Sequence, residues 1–75
     1  MFDKELFGQR LHELRKKRKI SQTELGQLLG VTATQVGDIE HGNSTTSMAR
    51  LYLLCRFFNV SADYLLGLSD DPDPR

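Results

Sequence analysis

Residues 21–42 read SQTELGQLLGVTATQVGDIEHG. Two apolar patterns at helical spacing lie on either side of Gly30. Leu25, Leu28 and Leu29 form the first, and Val36 and Ile39 the second. Ser21 with Glu24, and Thr32 with Gln35, each give a hydroxyl followed three residues later by a Glu or Gln. That is the capping box opening a helix, with Ile20 as a staple for the first. Gly30 and Gly42 stand where a helix end calls for positive φ. The segment therefore predicts two short helices joined by a tight turn, the supersecondary unit called a helix-turn-helix. Gly26 sits inside the first of them. It costs up to ~1 kcal/mol relative to Ala there, and a close crossing of backbones would explain it.

Outward from this segment the helical period continues. Leu6, Phe7, Leu11 and Leu14 recur at three- and four-residue intervals over Lys4 to Lys19, with Asp3 placed to cap the start. The run RKKRK at 15–19 suits the negative end of that helix. A fourth helix spans about Ser47 to Phe58, with Met48, Leu51, Leu54, Cys55 and Phe58 on its inward face. Ser61 caps a short fifth helix through Leu66, stopped by Gly67. The expectation is an all-α domain of five helices over residues 1–68, with an acidic, Pro-containing tail or linker over 69–75.

Seventy-five residues hold one domain with a thin core. A single cysteine, Cys55, allows no internal disulfide and points to a reducing cytoplasm and a small buried apolar role. No apolar run reaches the ~20 residues of a membrane span. His12, His41 and Cys55 lack metal-ligand spacing, and no nucleophilic triad or Gly-rich phosphate loop occurs, so no metal, cofactor, small-molecule ligand or enzymatic activity is expected. Net charge is zero, but residues 1–62 carry nine Lys and Arg against six Asp and Glu. That balance permits binding to nucleic acid without requiring it.

The stretches LHELRKKRKISQTELGQLLGV, Thr32 to Gly42 (T-x-x-Q-V-x-x-I-E-x-G) and FFNVSADYLLGLSDD occur in this order. Together they resemble the phage repressor and Cro-like (XRE-like) helix-turn-helix family from Phe7 to Asp71. The resemblance implies a five-helix, lambda-repressor-like domain of a sequence-specific DNA-binding regulator. The expected role is that of a repressor binding a twofold operator as a dimer, in a bacterial or phage cytoplasm. It also implies that Gln22, at a helix start where free N–H groups attract anions, grips a phosphate, and that Arg15 and Glu40 pair. By position Ala33, Thr34, Gln35 and Asp38 are the base readers. Thr32, Asn43, Ser44, Thr45 and Arg10 join Gln22 at phosphates, and Lys16 to Lys19 add positive field.

The reading helix departs from common family members. It carries no Arg or Lys, so the bidentate guanine contact is missing. Ala33 and Thr34 offer methyls to thymine, Gln35 an amide to adenine, and Asp38 an acceptor to cytosine, while Gly37 reads nothing. Leu53 and Phe57, four apart on the outer side of the fourth helix, are expected at a dimer interface with Tyr64 and Leu65. The alternative is a protein-interaction module on the same fold, antitoxin-like or regulatory, that binds DNA weakly. Family members often continue past a segment like LLGLSDDP into a second domain.

Overall fold

A computed structural model describes residues 1–74. It contains five α-helices in chain order: α1 Lys4–Arg18, α2 Gln22–Leu29, α3 Ala33–Glu40, α4 Met48–Phe58 and α5 Ala62–Leu66. No strand occurs among the described residues. Each start is capped as its sequence demands. Asp3 accepts from the amides of Glu5 and Leu6, Ser47 from Arg50, and Ser61 from Tyr64. Both capping boxes close in full, Ser21 with Glu24 and Thr32 with Gln35. α2 ends on Gly30 at φ 75° and α5 on Gly67 at φ 82°. Where no glycine was available, Lys19 and Asn59 take the left-handed conformation themselves, at the cost a Cβ imposes there.

The core is one cluster drawn from every helix. Phe7 and Leu11 come from α1, Leu25 and Leu29 from α2, Val36 and Ile39 from α3, Leu54 and Phe58 from α4, and Leu65 from α5, with Val60 between the last two. Close approach is bought with glycine at two points. A Cβ on Gly8 would sit 2.2 Å from the carbonyl oxygen of Ile39 and 2.7 Å from that of Glu40, so α1 crosses the end of α3 backbone to backbone. A Cβ on Gly26 would sit 2.6 Å from the carbonyl oxygen of Val31. The close contact at Gly26 is thus with the turn that follows its own helix, rather than with a crossing helix.

Three placements differ from the sequence expectation. Met48 is 86% exposed, because the first turn of α4 overhangs an open apolar depression bordered by Phe2, Phe7, Leu51 and Leu66. Leu28 is half exposed, so the α2 stripe narrows to Leu25 and Leu29. Within the tail, residues 69–74 do not run free. The Ser61 amide donates to the Pro72 carbonyl at 3.0 Å, and Arg10 grips Ser69 and Asp70. Residue 75 lies outside the described residues.

Candidate nucleic-acid interface

α3 divides into two faces. Val36 (fully buried) and Ile39 point into the core, against α1 and α2. Glu40 follows them inward, and its side chain is 3% exposed. A carboxylate so placed needs several donors, and it has them. Arg15 Nε donates to Glu40 Oε2 at 2.6 Å and Arg15 Nη2 to Oε1 at 3.1 Å, a fork on both oxygens. The third guanidinium nitrogen, Nη1, donates to the Ile20 carbonyl at 2.9 Å, fixing the loop before α2. Gln22 Nε2 reaches Glu40 Oε1 at 3.2 Å, and His12 Nδ1 lies 2.9 Å from the same oxygen. α1, α2 and α3 are therefore joined through one carboxylate.

Burial by itself would raise the Glu40 pKa. Hydrogen bonds from Arg15, His12 and Gln22 and the charge of Arg15 outweigh that and hold it below the ordinary carboxylate value. The Arg15 guanidinium is pushed up by its bond to Glu40, against the opposing effect of burial. The pair is ionised on both sides at neutral pH. Gly37 also belongs to this arrangement. A Cβ there would lie 3.4 Å from Gln22 Nε2, so the glycine leaves the Gln22 amide room beside α3.

The other face of α3 is open. Thr34, Gln35 and Asp38 are exposed and Ala33 is half-buried. Gln35 is already engaged: its Oε1 accepts from the Thr32 amide at 2.8 Å, and the Thr32 hydroxyl accepts from the Gln35 amide at 3.1 Å. Its amide NH2 remains to contact a base. In the following loop Asn43, Ser44 and Thr45 are exposed, but the Asn43 backbone N–H is committed to the Asp38 carbonyl at 2.9 Å. Gln22 and Thr32 stand at the N-termini of α2 and α3, at the edge of the open face.

Arg10 does not lie with them. Its guanidinium donates to the carbonyl of Tyr64, to that of Ser69 at 2.8 Å and to Asp70 Oδ1 at 2.7 Å, and stacks 4.2 Å from the Tyr64 ring centre. This corrects the expectation that it contacts phosphate: its Nη1 and Nη2 are engaged in holding α5 and the tail. Arg18 likewise leaves the basic run to donate to the Phe57 carbonyl and cover the Phe57 ring at 4.7 Å. Leu65 is fully buried in the core and cannot meet a partner. Of the residues expected at a dimer surface, Leu53 is exposed, while Phe57 and Tyr64 are half-buried beneath the two arginines. His12 was overlooked as a member of the Glu40 cluster. Its position three residues before Arg15, on the same side of α1, was the available signal.

The helix-turn-helix family model matches residues 11–65. The chain is 37% identical over 70 residues to an uncharacterised HTH-type transcriptional regulator, YobD, of Bacillus subtilis, covering 93% of this chain and 62% of that protein. It thus spans under two thirds of that relative's length. Among solved structures, the c2 repressor of Salmonella phage P22 in complex with a synthetic operator has a TM-score of 0.75 at 33% identity, covering 80% of this chain and 91% of that one. The restriction-modification controller protein C.AhdI of Aeromonas hydrophila gives 0.72 at 33% identity, with 84% and 91% covered. The five-helix architecture, the two capping boxes around the Gly30 turn and these likenesses agree: the chain belongs to the helix-turn-helix family of phage-repressor-like domains.

Proposed function

We propose that this chain is the sequence-specific DNA-binding domain of a transcriptional regulator, acting as a repressor on double-stranded DNA in the cytoplasm. The observation that carries the reading is the division of α3: an inner face locked to α1 and α2, and an outer face of Thr34, Gln35 and Asp38 left open beside Gln22. In this reading Gln22, Thr32, Asn43, Ser44 and Thr45 hold phosphates, which position the domain. Ala33, Thr34, Gln35 and Asp38 meet base edges, which select the site. Two copies would place their α3 helices in successive major grooves ~34 Å apart. Leu53, together with Phe57 and Tyr64, is the surface we assign to that pairing, and binding would exclude polymerase from a promoter.

Selection of bound duplexes from a random pool, at a stated salt concentration, tests the assignment. A single enriched motif with twofold symmetry is expected, and Gln22→Ala and Thr34→Ala should each weaken binding to it. Sedimentation of the DNA-bound protein as one copy per site would remove the dimer. The absence of any cation from α3 favours one second reading, a protein-interaction module. A folded chain that enriches no sequence would decide for it.

A further inference from the structure

We infer that His12 is a second phosphate-binding side chain beside Gln22, held in place by Glu40, and that DNA binds with uptake of a proton on its ring. The inference rests on the DNA-binding reading above. Glu40 Oε1 is approached by His12 Nδ1 at 2.9 Å, Gln22 Nε2 at 3.2 Å and Arg15 Nη2 at 3.1 Å. The polar tips of His12 and Gln22 therefore share one oxygen. An anion that reaches the Gln22 amide arrives next to the imidazole.

The carboxylate settles how the ring is turned. Glu40 is ionised and has no proton to give, so the short contact requires Nδ1 to carry the hydrogen and donate it. Arg15 Nη2, 3.3 Å from the same Nδ1, then abuts the N–H and is not bonded to it. Among the described residues Nε2 has no hydrogen-bond partner, and the side chain is 49% exposed. In the neutral ring Nε2 offers a lone pair, which repels a phosphate oxygen. With a proton added it offers an N–H and a positive charge.

The charged groups facing the ring decide the direction of the coupling. α3 contributes the Glu40 carboxylate, α1 the Arg15 guanidinium and α2 the uncharged Gln22. Arg15 and Glu40 cancel one another, so the cluster is close to neutral without the extra proton. A bound phosphate adds negative charge beside Nε2 and tips the balance toward protonation. Linkage then makes DNA binding tighten as pH falls, because the bound state holds more protons than the free one.

The experiment measures binding of the whole chain to a random-sequence duplex at fixed low salt, from about pH 8 to about pH 6, the range in which an imidazole changes charge. The wild type should bind several-fold more tightly at the acid end, because a proton taken up on binding favours the complex as pH falls. His12→Gln should bind with little pH dependence. His12→Lys, with a permanent charge, should bind tightly at both ends, and its salt slope should exceed that of His12→Gln by about 0.9, one phosphate contact. His41→Gln should keep the wild-type pH response. Circular dichroism at each pH confirms that every variant is folded. A pH response that survives in His12→Gln, or is absent from a wild type that binds, overturns the inference and leaves the DNA-binding reading standing. A folded wild type that binds no duplex at any pH overturns both.

Discussion

The two faces of α3 are built on opposite terms. Inward, nearly every group is committed: Val36 and Ile39 are packed, and Glu40 satisfies three helices at once. Outward, Thr34 and Asp38 are exposed to solvent. The inner face sets where the helix lies to within the tolerance of a packed core. The outer face is free to change without disturbing it. A reading helix needs both properties, and eight residues are enough to supply them because the helix is clamped at each end, by the Thr32 cap and by the Glu40 cluster.

The inner face is most vulnerable at Glu40. Glu40→Ala leaves Arg15, a residue only 8% exposed, without its carboxylate. Removing one member of a buried pair typically costs about 3–5 kcal/mol. Urea denaturation should show a loss of that size, and in a domain this small it would leave much of the chain unfolded at room temperature. Replacing both members with apolar residues of similar volume should cost far less, because no charge is then stranded. The same cluster sets an acid limit. The folded pKa of Glu40 is below its unfolded value, so its contribution is complete above the ordinary carboxylate range and is lost as pH falls through the folded pKa. Stability measured below about pH 4 should therefore drop in the wild type more steeply than in Glu40→Gln.

Gly8→Ala attacks the inner face from the other side. Its methyl would stand 2.2 Å from a backbone oxygen, which has no rotamer by which to withdraw. The helices must part, at a cost of about 1–3 kcal/mol. Thermal unfolding would register it, and a variant as stable as wild type would show that α1 can slide along α3 freely.

Much of the inner face could be read in advance, because its determinants are local. Capping boxes act over three residues, helical stripes over four, and a glycine terminator at one. Arg10 shows where such reading ends. Its partners Ser69 and Asp70 lie about sixty positions away, and nothing near Arg10 distinguishes a clamp from a phosphate contact. Leu65 and Met48 failed in the same way. Periodicity gives the angle of a side chain about its own helix, but not whether another element covers it. That left Leu65 enclosed and Met48 at an open edge. Gln35 is different: the Thr32–Gln35 capping box, local in the sequence, already assigns its side-chain oxygen and leaves only the amide for a base.

On the outer face the largest change is expected at Asp38. Its carboxylate is exposed on the surface that would approach a polyanion. Asp38→Asn should tighten binding to mixed-sequence duplex about fivefold, the scale of one charge-charge contact in a solvated setting, while thermal stability stays near wild type. Preference at the base pair it faces should relax in the same variant. Unchanged affinity would place Asp38 outside the contact surface and shift the reading toward Thr34 and Gln35.

Gly37→Ala makes the smallest change and separates the faces most finely. Gly37 is helical, with no positive φ to protect, and alanine is the better helix former by up to ~1 kcal/mol. The new methyl would lie 3.4 Å from Gln22 Nε2, the movable end of a flexible side chain. Part of the gain is lost in shifting it, so a net stabilisation of about 0.5 kcal/mol is expected from denaturation curves. The amide that shifts is the one assigned to phosphate, so DNA affinity should fall slightly while stability rises. Stability and affinity moving in opposite directions is the result expected if glycine stands here to give Gln22 room. If both rise together, Gln22 is free to reach phosphate past a methyl, and the reason for glycine at this position lies on the base-facing side of the helix instead.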